Sequence, residues 1–210
     1  MQDFSVGRVV EESEPHYNIA PSQNIIIIRR EGANVMVACR WGFIPAWAKD
    51  EKIGYRMINA RAETIDAKPA FRGAFRRQRC LVVADGFYEW KKERGKKVPF
   101  YIRMRSRRPF GFAGLYNIWI PPEGEGICTS TIITTDANDL LIAIHERMPA
   151  IIAPDRYDVW LDPDFDDQGV LTDLLTPYPS DLMEMYEVSP RVNSPAYDAE
   201  NAITPWRNDQ

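Results

Sequence analysis

Three side chains in this sequence are of types that move protons or orient a polar substrate. Glu89 lies in DGFYEW (85–90), directly after the continuously apolar CLVVA. A carboxylate at the end of an apolar strand, among three aromatic residues, is a poor place for a charge unless it is paired or used. Partial desolvation there raises a carboxyl pKa and suits the group to proton shuttling. His145, in IHERMP, is one of only two histidines; the other, His16, sits in PHYN. Asn59 opens NARAE (59–63), a polar run after YRMI that can end a strand with its side chains in a cleft. Each residue has a structural alternative. Glu89 could pair with an arginine, Asn59 could cap a helix, and His145 could be a protonated imidazole at a helix end. The chain holds no P-loop, GxGxxG, HExxH or GxSxG pattern.

Residues 59, 89 and 145 lie far apart, so long-range pairing must bring them together. NIIIIRR (24–30) and NVMVACRWGF (34–43) read as two strands around EGA, a hairpin signal. Segment 60–78 reads as helical pieces, with Pro69 opening the second. Residues 80–92 and 98–105 read as strands joined by the basic turn ERGKK. Residues 109–119 form another strand, whose glycines point to a bulge or close backbone approach. The segment 130–138 runs from a strand into a helix start with Asp136 or Asn138 as the cap, and 139–146 is a short helix stopped near Pro149. Residues 148–153 return as a strand, DRYDVWL and GVLTDLL are short helices, and 183–188 is a final strand. Many hairpins and few βαβ units predict an α+β fold. It is a single compact domain, 1–210, with a curved, mainly antiparallel β-sheet (a partial barrel) flanked by short helices.

Hydrophobic residues make up 45% of the 210 residues, enough for one sizeable core. No apolar run approaches the ~20 residues of a membrane helix, so no membrane partner is expected. Three widely spaced cysteines, Cys39, Cys80 and Cys128, read as buried thiols of a cytoplasmic protein rather than a disulfide framework or a metal site. Net charge is −4, yet residues 72–108 hold 13 Lys/Arg against 3 Asp/Glu. A basic middle on an acidic chain can form a phosphate-binding face, or KKERGKK can be a solvated hairpin tip.

Seven segments taken together carry more than any one of them. YNIAPSQ (17–23), WGFIPAWAKD (41–50), NARAET (59–64), FRRQRCLVVADGFYEWKK (75–92), FAGLYNIW (112–119), TIITTDAN (131–138) and IHERMPAI (144–151) occur in one order. Over about residues 15–190 the chain resembles the SOS response-associated peptidase family, which includes sensors of abasic sites in single-stranded DNA. The resemblance implies a single α+β domain that needs no cofactor or metal. It implies a monomer, cytoplasmic and nucleoid-associated, whose partner is single-stranded DNA containing abasic sites. It further implies a covalent DNA–protein crosslink through an N-terminal cysteine, with self-processing peptidase and lyase-like activity. Asn59, Glu89 and His145 become the catalytic residues, and Arg61 and Arg147 the phosphate contacts. Trp90 would stack on a base, core packing being its alternative. The family's second residue is a cysteine, whereas this chain has Gln2, and only 14 residues precede Pro15. The expectation is therefore a chain lacking the usual N-terminal segment with that cysteine. A non-catalytic single-stranded DNA-binding module and a thiol-type peptidase are the alternatives.

Overall fold

The computed structural model of the chain describes residues 2–11 and 14–206. Its strands are β1 (Val6–Val9), β2 (Asn24–Glu31), β3 (Ala33–Trp41), β4 (Asn59–Arg61), β5 (Arg79–Ala84), β6 (Gly86–Glu93), β7 (Lys96–Met104), β8 (Phe110–Trp119), β9 (Ile127–Asp136), β10 (Arg147–Pro149), β11 (Ile151–Ile152) and β12 (Met183–Glu187). Three short helices accompany them: α1 (Arg72–Arg77), α2 (Tyr157–Leu161) and α3 (Gln168–Asp173).

The four consecutive isoleucines of β2 need a sheet covered on both faces. That is what forms. Ile28 enters a core cluster with Phe75, Leu81, Leu115, Ile133 and Trp160, beneath the helices. Ile25 and Ile27 enter a second cluster with Val82, Phe112, Ile102 and Met183, facing a separate three-stranded sheet. The large sheet runs β1-β3-β2-β5-β8-β9-β10, with β11 on β8 and β4 on β9. A further β3–β9 pairing closes it into a partial barrel. Most pairings are antiparallel; β1–β3, β3–β9 and β4–β9 are parallel. The small sheet runs β12-β7-β6. No helix among the described residues is long and apolar enough to cross a membrane.

Four expectations are corrected. The run 80–92 is two strands rather than one. It breaks at Asp85, and Gly86 begins a strand of the other sheet. A Cβ at Gly86 would collide with the Tyr101 ring and lie 2.7 Å from the Ile102 carbonyl, so only glycine lets the chain cross there. Segment 60–78 is not chiefly helical. Asn59–Arg61 pairs with β9, a 3-10 turn covers Ala62–Thr64, and only Arg72–Arg77 is α-helix. The segment 139–146 is a pair of successive turns, not a helix. Asn138 Oδ1 accepts from the Leu140 and Leu141 N–H groups, so the capping residue begins a turn that never propagates.

The fourth correction concerns the thiols. Cys39 and Cys128 are joined as a disulfide, with Cα atoms 4.8 Å apart. Their separation of 89 residues hid the contact; the parallel register Arg40↔Thr129 makes them neighbours. Only Cys80 remains a buried free thiol among the described residues, so cysteine usage no longer argues for a reducing compartment. The basic stretch 72–108 is also dispersed. Arg72, Arg76 and Arg77 lie on α1, Lys91–Lys97 surround the β6–β7 turn, and Arg105–Arg108 lie at the opposite end of β7.

Arg79 is one cation of that stretch that never meets solvent, being 3% exposed. Its guanidinium donates to the carbonyls of Phe75 (2.8 Å), Arg76 (2.5 Å), Trp160 (2.8 Å), Phe165 (3.0 Å) and Asp162. These are orphan carbonyls at the ends of α1 and α2 and in the loop beyond, which a helix cannot satisfy itself. Burial pushes the Arg79 pKa down to about 10, partly opposed by Asp162. Arg79→Met should leave several buried acceptors unpaired and destabilise the protein by about 3–5 kcal/mol. Urea unfolding measures this, and a loss below ~1 kcal/mol would contradict the role given to Arg79.

Candidate active site at the end of strand β9

Strand β9 gathers the site because different partners flank its last residues. On one side β4 runs parallel, with Asn59↔Ile132 and Arg61↔Thr134. On the other, β10 runs antiparallel, with Arg147↔Asp136. The NAR run is exposed, buried, exposed, so Asn59 and Arg61 project from the same outward face while Ala60 enters the core. Arg61 is exposed and has no hydrogen-bonded or ion-paired partner among the described residues, although Glu63 lies within electrostatic reach.

Arg147 closes the arrangement. Its Nη1 donates to Glu63 Oε1 (2.5 Å) and Asp136 Oδ1 (2.8 Å). Its Nη2 donates to Glu63 Oε2 (3.0 Å) and the Thr134 carbonyl (2.7 Å). The paired fork holds the Glu63 carboxyl below the usual carboxylate range and raises Arg147. Arg147 Nε is buried without a partner among the described residues. The guanidinium is thus committed mainly to Glu63 and Asp136.

His145 is oriented by the same residue. The Arg147 backbone N–H donates to His145 Nδ1 at 3.0 Å, and the Arg147 carbonyl lies 3.1 Å from that nitrogen. Nδ1 accepts from the amide when the ring proton is on Nε2 and donates to the carbonyl when Nδ1 carries a proton, so the Arg147 backbone holds the ring in either state. The ring itself is exposed.

Glu89 approaches from the small sheet. It is half-buried, and burial raises its carboxyl pKa; the neighbouring His145 and the Trp90 backbone N–H act in the opposite direction. It faces Phe100 across β7, on the side of β6 that packs with Phe87 toward the core. The opening glutamate therefore does not form an arginine ion pair among the described residues; its nearest electrostatic partner is a histidine.

Of the predicted residues, interactions link Glu89 to His145, His145 to Arg147, and Arg147 through Glu63 to the neighbourhood of Arg61. Asn59 stands one pleat from Arg61, roughly 7 Å along β4, and no hydrogen bond joins its side chain to Glu89 or His145 among the described residues. Trp90 points to the opposite face of β6 from Glu89. Its ring packs against Tyr88 (6.3 Å between centroids), and its indole N–H donates to Asn193 Oδ1 at 2.7 Å. On that face Tyr88 packs with Val188 and Val192, in a segment that Asn18 holds through the Val192, Ser194 and Tyr197 carbonyls at 3.1 Å each; Trp90 stays half-buried at its border. Sequence reasoning missed Glu63 and Asn193. Glu63 lay in view in NARAE, two residues from Arg61; nothing in the sequence ties Asn193 to a tryptophan 103 residues away.

The chain matches the SOS response associated peptidase (SRAP) family over residues 2–195. It is 48% identical over 207 residues to the abasic site processing protein YoqW of Bacillus subtilis, covering 97% of this chain and 92% of that protein. It is 50% identical over 198 residues to YoaM of the same organism, another abasic site processing protein, covering 90% and 87%. Chicken HMCES, of the same description, is 30% identical over 224 residues, with 91% of this chain and 66% of that protein covered. A crystal structure of a protein from Bacteroides thetaiotaomicron superposes with a TM-score of 0.81 at 31% identity, covering 89% of this chain and 82% of that one. The seven ordered motifs, the partial barrel and these likenesses agree: the chain belongs to the SOS response associated peptidase (SRAP) family.

Proposed function

We propose that this protein recognises abasic sites in single-stranded DNA and opens their deoxyribose ring to the aldehyde. The observation that carries the reading is a half-buried carboxyl, Glu89, within electrostatic reach of His145, whose ring is held by Arg147 next to β9, with Arg61 exposed on the neighbouring strand β4. Relatives at 48% and 50% identity are abasic site processing proteins, which names the lesion.

An abasic deoxyribose is a cyclic hemiacetal. Opening it needs a base to take the proton of the anomeric hydroxyl and an acid to protonate the ring oxygen. Glu89, raised by burial, is the base, and protonated His145 is the acid. Asn59 orients the reacting group by hydrogen bonding. Arg61 contacts a flanking phosphate, and Arg147, its charge spent on Glu63 and Asp136, holds His145 in place. Trp90 stacks on a neighbouring base from the other side of β6.

The opened aldehyde is electrophilic, and a primary amine can capture it as a Schiff base, the entry to lyase-like strand cleavage. The thiol-type peptidase reading finds little support: Cys39 and Cys128 are bonded to each other, and Cys80 is fully buried with its thiol pKa pushed up by desolvation.

Borohydride reduction of the Schiff base, read on a denaturing gel, tests the chemistry. The protein should be trapped on abasic single strands in preference to abasic duplex. Glu89→Gln and His145→Ala should each slow trapping on the order of 10²-fold while changing DNA affinity only a few-fold. Trapping at the parent rate in both variants would refute the assignment.

Stability supplies a second check. The folded state holds the Glu89 proton more tightly than the unfolded chain does. That contribution is fully present below the ordinary glutamate pKa and is lost as pH rises through the raised folded value. Glu89→Gln removes the loss, so at pH near 7 the variant should be at least as stable as the parent in urea. A clear destabilisation would mean that the carboxylate is structural.

A further inference from the structure

The hairpin β6–β7 carries an unneutralised charge arrangement on one of its two faces. Arg94 and Gly95, at φ 48° and 80°, form the tight turn. Strand alternation and the antiparallel register sort the side chains around it. Lys91, Glu93 and Lys96 share the Glu89 face, where Glu93 pairs with Lys91 at 2.5 Å and stands opposite Lys96. Lys92 and Lys97 share the Trp90 face and stand directly opposite each other. Like charges in that position destabilise a hairpin. Lys92 and Lys97 are exposed and form no ion pair with a carboxylate among the described residues, and Arg94, exposed at the turn, has Glu93 within electrostatic reach without an ion pair to it.

The same face begins with aromatic rings. Tyr88 and Trp90 line up behind Lys92, and the Asn193 bond fixes the indole edge. β6 is also the outer strand of its sheet. A chain leaving Glu89 can therefore pass around its free edge to the Trp90 face without crossing the sheet.

We propose that this face of the hairpin is a second nucleic-acid contact, taking the single strand beyond the lesion. Trp90 receives a base, and Lys92, Arg94 and Lys97 track the phosphates that follow it. The polyanion relieves the Lys92–Lys97 repulsion that the free protein carries. An aromatic platform continued by a cationic track is the combination that suits single strands of any sequence. From Trp90 to Arg94 the track is roughly 13 Å long at ~3.3 Å per strand residue. A few nucleotides on one side of the lesion are needed to occupy it. The inference rests on the reading that the lesion sits at Glu89.

The test compares abasic single strands of roughly 5 and roughly 15 nucleotides, the longer one spanning the track. Fluorescence anisotropy is recorded across a salt series for the parent, for Lys92→Gln/Arg94→Gln/Lys97→Gln, and for the opposite-face control Lys91→Gln/Lys96→Gln. The triple variant should lose affinity for the long strand and lower its log–log salt slope by about 2, at ~0.7 per phosphate contact. Its affinity for the short strand should fall less than about twofold, and the control should lower the long-strand slope by under about 0.5. Equal losses on both lengths, or equal effects of both variants, would overturn the face-specific track and leave only general charge attraction. Long-strand binding unaffected by the triple change would overturn the inference while leaving the lesion site standing. Failure of the parent to bind either oligonucleotide at low salt would overturn both.

Discussion

Arg147 ties three chain segments together at the end of β9, and the geometry of the site follows from that clasp. Its guanidinium reaches Glu63 beyond β4, Asp136 at the end of β9 and the Thr134 carbonyl between them. Its backbone orients His145. The Arg147 side chain is only 15% exposed, while Glu63 and Asp136 are 47% and 79% exposed, so the shielding lies on the arginine side of the clasp. Without it, β4 and β10 would be held to β9 by only three register pairs each, and the turns carrying His145 would have one anchor fewer. An arginine that a motif suggests for phosphate is first of all the keystone of the site's architecture.

The alternation of β6 divides the work between two faces. Glu89 turns inward to a half-buried position, where desolvation tunes a carboxyl. Trp90, the next residue, turns outward and stays half-buried beside Tyr88, whose ring in turn meets Tyr101. One strand thus presents a desolvated carboxyl on one side and an aromatic surface on the other. Gly86 makes the swap of sheets possible, since the Tyr101 ring occupies the space a side chain would need. Asp85 accepts the Tyr101 hydroxyl at 3.1 Å and fixes that ring. The DGFYEW stretch is therefore a junction between sheets rather than a strand end.

Much of this fold was legible because its strands obey local rules. The β2–β3 hairpin announced itself through two apolar runs around EGA, and Gly32 takes the positive φ such a turn needs. Gly114 was rightly read as a close approach: a Cβ there would meet the Cys80 sulfur at 3.0 Å. What stayed hidden was decided by distant partners. Ala60 and Arg61, read as the start of a helical segment, joined Asn59 in a strand because β9 offered a ladder. The 139–146 segment failed to become a helix because its cap was spent on isolated turns and His145 had to meet Arg147. The Cys39–Cys128 pairing depends on a barrel closure that no local pattern encodes. For the proposed site, the motifs supplied the candidates, but the two-faced arrangement of Glu89 and Trp90 and the Glu63–Arg147 clasp emerged only from the packing.

The central claim is that the Glu89–His145 pair receives the abasic sugar and opens it. Carbon-13 NMR of a single strand labelled at C1′ of its abasic site observes that event at the reacting carbon. The account predicts that the parent protein moves the signal from the hemiacetal region toward the aldehyde or imine region. It also predicts that bound Glu89→Gln leaves the signal in the hemiacetal region. A hemiacetal signal that persists with the parent protein at saturation would contradict it.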